Sequence, residues 1–596
     1  MKLATTPLPM TAQELSHLNI SQPDFIIVSG DAYIDHPSFG TAIIGRVLEK
    51  AGFSVAVIAQ PDWKSDADFK RLGAPRLAFL VNAGNVDSMV ANYTVAKRKR
   101  DYDYYSPKGK IGLRPDRAII VYCNKLRQIY GDTPIIIGGI EASLRRFAHY
   151  DYWDNKIRRS VLVDSGADIL SYGMGERSMV RIAQLLDRGI PVKKIRDVAG
   201  TVVFTERDFQ PKGESIMLPS FNEIKTNKLS YARSFKVQYQ NCDHIDGKTL
   251  CESYDEGLLV QNPPAEPLDT KELDALTDLP FTRKPHPIYQ KDGVPAIEEV
   301  EFSITHNRGC FGGCAFCAIA YHQGRAVTSR SIDSVVKEVE FLTTLPDFKG
   351  YIHDIGGPTA NFRTGPCKAV AEGKKGVCAN RRCLTPKPCP NLIVDHSEYI
   401  EVLKRAASVK GVKKVFVRSG IRHDYVMADK VCGDRFISQL AREHTSGQLR
   451  TAPEHICPEV LSLMGKPSYE VYEQFVSKFS AASKKAGLEQ YVVPYLMSSH
   501  PGSTMKSAQK LADYMFRHKV RSEQVQDFYP TPSTAATVMY YTGIDPFTEK
   551  KVYVALSPEE KKAQRALLGK PTLMKKKSPI KSTKGKKPYK RKKATR

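Results

Sequence analysis

The chain has 596 residues, 41% hydrophobic and 26% charged, which excludes fibrous and disordered classes and allows about three or four domains. Its net charge of +25 is unevenly spread, because residues 571–596 alone hold ten lysines, two arginines and no acid. No stretch reaches the roughly 18 apolar residues of a membrane span, the start MKLATTPLPMTAQELSHL lacks a signal core, and twelve cysteines are too sparse for a disulfide scaffold, so a cytoplasmic, non-membrane protein is expected.

Residues 1–210 alternate β-branched runs with helical patterns. Strands are predicted at 24–29 (DFIIVS), 53–59 (FSVAVIA), 77–81, 134–137, 169–171 and 201–204, with helices over 40–51, 118–130 and 176–187. Strand, helix, strand within some 35 residues is a βαβ unit, so the spacing predicts an α/β domain with an open, Rossmann-like parallel sheet. Ligands of such sheets sit beyond the carboxyl ends of the strands, here at GDAYIDHPSFG (30–40), NAGNVDSM (82–89) and GGIEASLRR (138–146). None is a GxGxxG loop, and a dinucleotide is not indicated. KRKRDYDYY (97–105) mixes basic and aromatic residues, a pattern shared by nucleic-acid surfaces and by ordinary exposed loops.

Residues 211–295 read as an irregular, proline-containing linker, with QNPPAEPL (261–268) and FTRKPHPIY (281–289). Over 296–545 the alternation resumes. Strands are expected at 302–305, 351–355, 414–418, 448–451, 491–496 and 525–529, with helices near 397–407, 434–442, 469–486 and 504–518. Six βα-type units predict a complete or partial β/α barrel with active groups at the C-terminal ends of its strands. A C-terminal extension (546–570) and a disordered Lys-rich tail (571–596) follow. The tail has too little apolar content to order itself and reads either as an arm for RNA or another polyanion or as a solubilising segment.

One motif dominates the chemistry. Directly after the first barrel strand comes NRGCFGGCAFCAIA, which spaces Cys310, Cys314 and Cys317 as C-x3-C-x2-C. Three thiolates on one tight loop leave one iron of a cubane cluster without a protein ligand, open to a small chelator. Gly309, Gly312 and Gly313 allow the tight turn, and Phe316 supplies an aromatic wall. A zinc knuckle that borrows His306, or three structural thiols, is the competing reading.

The motif resembles that of the radical S-adenosylmethionine (SAM) superfamily, C-x3-C-x-aromatic-C after strand one of a partial barrel. That resemblance implies a [4Fe–4S] cluster on Cys310, Cys314 and Cys317. It implies SAM on the open iron, reductive cleavage to a 5′-deoxyadenosyl radical, and an electron donor such as flavodoxin or ferredoxin. DIGGPTAN (354–361) resembles the family's GGE segment, which implies a SAM-binding backbone at Gly356 and Gly357, with Pro358 replacing Glu. APEHICPEVLSLMGKP (452–467), SSHPGST (498–504) and FYPTPSTAATVMYYTG (528–543) resemble later segments of methylthiotransferase-like members. They make Glu454 a candidate SAM contact, with Ser503 replacing the Glu of a PGET turn.

GDAYIDHPSFG, IAQPDW (58–63), GGIEASLRR, QNPPAEPL and GGPTANF (356–362) together resemble the YgiQ-type subgroup, whose N-terminal sheet is similar to cobalamin-binding domains. The D-x-H-x-x-G cobalt-ligand motif is absent, so His36 reads as a loop histidine or a substrate contact. Cys367, Cys378, Cys383 and Cys389 lie among lysines and arginines and read as an auxiliary cluster, a tetrahedral zinc, or incidental loop thiols. Cys123, Cys242, Cys251, Cys432 and Cys457 read as core thiols. The expected function is a radical SAM enzyme acting on a substrate the sequence does not reveal. The alternative is a non-catalytic, zinc-binding, nucleic-acid-binding protein.

Overall fold

Short apolar runs that do not alternate in polarity form the spine of the N-terminal half. The computed structural model describes residues 6–520 and 525–569. Five strands, β1 (Phe25–Ser29), β2 (Val55–Ala59), β3 (Ala78–Asn82), β4 (Ile135–Ile137) and β5 (Ile169–Ser171), pair in parallel in the order β2-β1-β3-β4-β5. Both faces are covered. Phe25, Ile27, Val55 and Val57 pack under the helices Gly40–Lys50 and Glu176–Asp187, while Ile26, Val28, Ala56 and Ile58 pack under Ala118–Tyr130. A parallel strand buried on both faces has no polar side to show, which is why these runs are continuously hydrophobic. The strand order reverses between β1 and β3, and this switch point opens a crevice at their carboxyl ends.

Two expectations change. β6 (Thr201–Thr205) joins the sheet antiparallel to β5, not parallel. The span expected as linker, 211–295, is structured: it forms the helices Phe221–Thr226, Lys228–Gln240 and Thr270–Thr277 and adds three strands to the same sheet. β7 (Ser215–Met217), β8 (Thr249–Ser253) and β9 (Leu258–Gln261) extend it to nine strands, ending β5-β6-β9-β8-β7. Leu250, Cys251, Leu259 and Val260 are fully buried, so β8 and β9 lack the alternation that marks a half-exposed strand, and the nearby prolines hid them.

The second half keeps the expected order. β10 (Ser303–Thr305) pairs in parallel with β12 (Asp354–Gly356), and β11 (Tyr351–Ile352) with β13 (Lys414–Val415). β14 (Gln448–Glu454), β15 (Tyr491–Ser498) and β16 (Val525–Asp527) form a second parallel set. Across the seam, the Val417 N–H donates to the His444 carbonyl at 3.1 Å. Helices Ile332–Thr343, Ser397–Ala407, Gly433–Gln439, Tyr469–Lys485 and Met505–Arg517 alternate with the strands, which makes an open, partial β/α barrel. Helix Pro558–Leu568 packs Leu568 against Leu496, Leu511 and Met515. The Lys-rich tail lies outside the described residues.

Candidate functional site

The cysteine loop leaves the carboxyl end of β10 and is closed at both ends. The Cys310 N–H donates to the Gly324 carbonyl at 3.1 Å, and the Ala315 N–H donates to Met464 O at 2.8 Å. Gly309 holds φ +78, and a Cβ there would lie 1.9 Å from the Ala326 carbonyl oxygen. Both the left-handed backbone and the close approach require glycine.

The three thiols are free and half-buried in the loop. Burial raises the Cys310 thiol, and burial together with the fields of Cys314 and Cys310 pushes Cys317 up to about 12. Such groups become thiolates when a metal takes the proton's place. Polar groups reach the sulfurs. The Cys310 sulfur lies 3.3 Å from Thr359 Oγ1, and the Gly312 N–H points at it from 3.4 Å. Arg422 Nη1 donates to the Cys314 sulfur at 3.2 Å. Lys466 Nζ lies 5.7 Å from the Phe316 ring centre and acts electrostatically on Cys317.

Among the described residues, Asp395, Asp429 and Cys432 are the ligand atoms grouped within 4.8 Å of one another, so the loop thiols stand wider than a single ion requires. Three free thiols, one compensating guanidinium and this spread fit an iron–sulfur cluster with one open iron. His306 does not complete a zinc knuckle. Its Nε2 lies 2.8 Å from Ala360 O, its Nδ1 lies 3.1 Å from Arg363 Nη1, and burial beside Arg363 drives its pKa to about 3.

The GGP segment follows β12 and abuts the loop. A Cβ on Gly356 would lie 2.1 Å from Ser419 Oγ, and one on Gly357 would lie 1.7 Å from Asn307 Oδ1. Asn307, three residues before Cys310, donates to Thr359 O and Phe362 O at 3.1 and 2.7 Å. The glycines thus bring Thr359 to the first thiol. Glu454 ends β14 buried in the left-handed region at φ +68, its carboxyl raised by burial and 3.5 Å from Lys466 Nζ. Ser503 turns away from the site and exchanges hydrogen bonds with Gln564 of the last helix at 3.1 and 2.8 Å.

The N-terminal loops reach the same place. A cavity of about 420 Å³ opens at the β1/β3 switch point, lined by Asn82, Gly84, Gly138, Gly139 and Gly175, and closed by Ile319 and His322 just past Cys317. His322 Nδ1 lies 2.9 Å from Ser143 Oγ, and the Arg146 guanidinium lies 3.7 Å from the Tyr321 ring centre. Arg308 pairs with Glu176 at 2.7 Å. His36 does not line this cavity. It is fully buried, its Nδ1 accepts from the Ser38 N–H at 3.1 Å, and burial lowers its pKa. In 97–105, Tyr102 and Tyr104 are exposed, whereas Lys97 and Arg100 bond backbone carbonyls and Tyr105 faces the cavity.

Sequence reasoning missed Thr359, Arg422 and Asp424, whose only sequence signal was a polar residue behind a strand end. Cys242, read from the sequence as a core thiol, lines a small void together with Cys314 and Cys317.

Residues 7–303 match the model "Radical SAM N-terminal", and 523–570 match a domain of unknown function, DUF3362. A solved radical SAM methyltransferase, TsrM from Kitasatospora setae, is 15% identical, with TM-score 0.47 over 85% of this chain and 74% of that one. The cobalamin-dependent radical enzyme OxsB gives 12% and 0.45 over 90% and 57%. A UPF0313 protein of Clostridium botulinum is 56% identical over 94% of this chain and 87% of its own length, and one of Clostridium perfringens is 54% identical over 94% and 84%. The chain therefore belongs to the UPF0313 family and carries a radical SAM N-terminal domain.

Proposed function

We propose that this protein is a radical SAM enzyme, with Cys310, Cys314 and Cys317 as ligands of a [4Fe–4S] cluster. The observation that carries the reading is the convergence of three free thiols, the Arg422 guanidinium and the Thr359 hydroxyl at the carboxyl ends of the barrel strands. The match to the radical SAM N-terminal model supports it. When bound and reduced, the cluster and SAM supply a 5′-deoxyadenosyl radical for hydrogen abstraction.

The protein's own groups bind, orient and exclude water. Arg422 offsets thiolate charge. Gly356 and Gly357 keep side chains away so that backbone can approach SAM, and Glu454 offers a buried carboxylate to its polar groups. The cavity at the β1/β3 switch point lies one turn beyond Cys317 and is the chamber for substrate or a second ligand. A flavodoxin or ferredoxin supplies electrons, and the basic tail draws the enzyme to RNA or another polyanion in the cytoplasm. No helix among the described residues is long and apolar enough to cross a membrane.

The test is anaerobic reconstitution with iron and sulfide, then reduction in the presence of SAM. Wild type is expected to release 5′-deoxyadenosine, and Cys310→Ala is expected to release none. A reconstituted, reduced protein that leaves SAM intact overturns the reading.

A further inference from the structure

We propose that Cys367, Cys378, Cys383 and Cys389 bind a second iron–sulfur cluster, with all four thiolates as ligands and no iron left open. None of the four is used by the site described above, and all are free.

The segment behind the GGP turn folds back on itself, which brings its two ends together. The Ile393 N–H donates to Pro366 O at 2.9 Å, which closes the segment at its two ends beside Cys367 and Cys389. Inside, the Cys389 N–H donates to Cys383 O at 2.8 Å, and Cys367 caps the short helix Lys368–Ala371. The residues flanking the cysteines share one apolar cluster. Val370, Val377, Leu384 and Leu392 pack there around buried Cys383, together with Phe311 and Phe362.

A cation lies against the same segment. Arg325 is itself buried. It donates to the carbonyls of Cys378 and Arg381 at 3.0 and 3.3 Å, so a fixed cation faces the group.

The spacing distinguishes the metal. In a tetrahedral zinc site the Zn–S bonds place every pair of sulfurs about 3.8 Å apart. Among the described residues, no three of these sulfurs lie within 4.8 Å of one another. An iron–sulfur cluster spreads its thiolates over different irons and takes the wider arrangement. Four thiolates saturate it, so it binds no SAM. It lies beside the first site, because Cys310 and Cys383 share the same apolar cluster and Arg382 packs against Gly313.

This inference does not depend on the proposed function, and the test separates them. The full chain with Cys310→Ala, Cys314→Ala and Cys317→Ala, purified without oxygen, is expected to retain iron and acid-labile sulfide in equal amounts. The amounts are about four of each for a [4Fe–4S] cluster or about two for a [2Fe–2S] cluster. Stoichiometric zinc, or neither metal in the folded variant, overturns the proposal. Should that variant not fold, Cys383→Ser with Cys389→Ser in the otherwise intact chain is the second measurement. Its iron is expected to fall by one cluster's content while the iron held by Cys310, Cys314 and Cys317 stays, and iron equal to wild type overturns the proposal.

Discussion

Arg422 Nη1 donates to the Cys314 sulfur at 3.2 Å while Nε and Nη2 of the same guanidinium hold both carboxylate oxygens of Asp424 at 2.9 and 2.6 Å. Burial opposes both charges, yet the Arg422 charge holds the Asp424 carboxyl down at about 2. The fork fixes the guanidinium in one orientation, so a permanent cation points at the Cys314 sulfur. Hydrogen bonds to cluster sulfurs raise reduction potential.

Arg422→Gln is therefore expected to lower the potential of the first cluster by roughly tens of millivolts and to slow SAM cleavage by a weak reductant. Spectroelectrochemical titration measures it. A potential equal to that of wild type would show that the guanidinium serves Asp424 alone.

Gly357→Ala places a Cβ 1.7 Å from Asn307 Oδ1, against a side chain fixed by two backbone carbonyls. The expected cost is about 1–3 kcal/mol of stability and a loss of iron from the loop that Asn307 leads. Gly420→Ala meets nothing within 4 Å and is the control. Iron content and melting temperature of the two variants decide it, and equal values would refute the packing argument.

Glu454 holds φ +68 although it is not glycine. Glu454→Gly and Glu454→Ala both remove the carboxylate, but only Ala keeps the strain. The Gly variant should be more stable than the Ala variant by about 1 kcal/mol, and both should bind SAM more weakly than wild type. Undiminished SAM affinity in both would remove Glu454 from the site.

Glu252 in β8 accepts from the Ala148 N–H and the Tyr254 hydroxyl through Oε1, while its Oε2 is buried without a partner. Burial raises its carboxyl from 4.5 to about 7. Between those values the folded chain keeps a proton the unfolded chain has lost, so stability falls as pH rises through that window, by on the order of 3 kcal/mol. Glu252→Gln should be free of this loss. Its melting temperature relative to wild type should climb from pH 5 to pH 8, and a constant difference would contradict the raised value.

Deleting 571–596 removes ten lysines and two arginines. RNA affinity is expected to weaken and its dependence on salt to flatten, while SAM cleavage persists, because phosphate contacts release counterions in proportion to their number. Equal salt slopes for both forms would show that the tail is not the contact.

The sequence alone determined the chemical inventory and the order of elements. Spacing in NRGCFGGCAFCAIA marked the three candidate ligands, and β-branched runs at regular intervals marked the parallel half of the N-terminal sheet and the six strand positions of the second half, one of which, 351–355, is divided into β11 and β12. Those features are local, because a thiol triad on one turn and a helix between two strands are written in neighbouring residues. Strand direction and partner choice are not local. β6 reads like the parallel strands before it, and β8 and β9 hide between prolines, because a strand buried on both faces has no periodicity to reveal which neighbour covers it. Only the tertiary structure brought Arg422 to Cys314, Thr359 to Cys310, and the 30–40, 82–89 and 138–146 loops to the turn beyond Cys317. Forming the partial barrel and docking it on the sheet joins segments 49, 108 and more residues apart, and no short-range pattern encodes that distance.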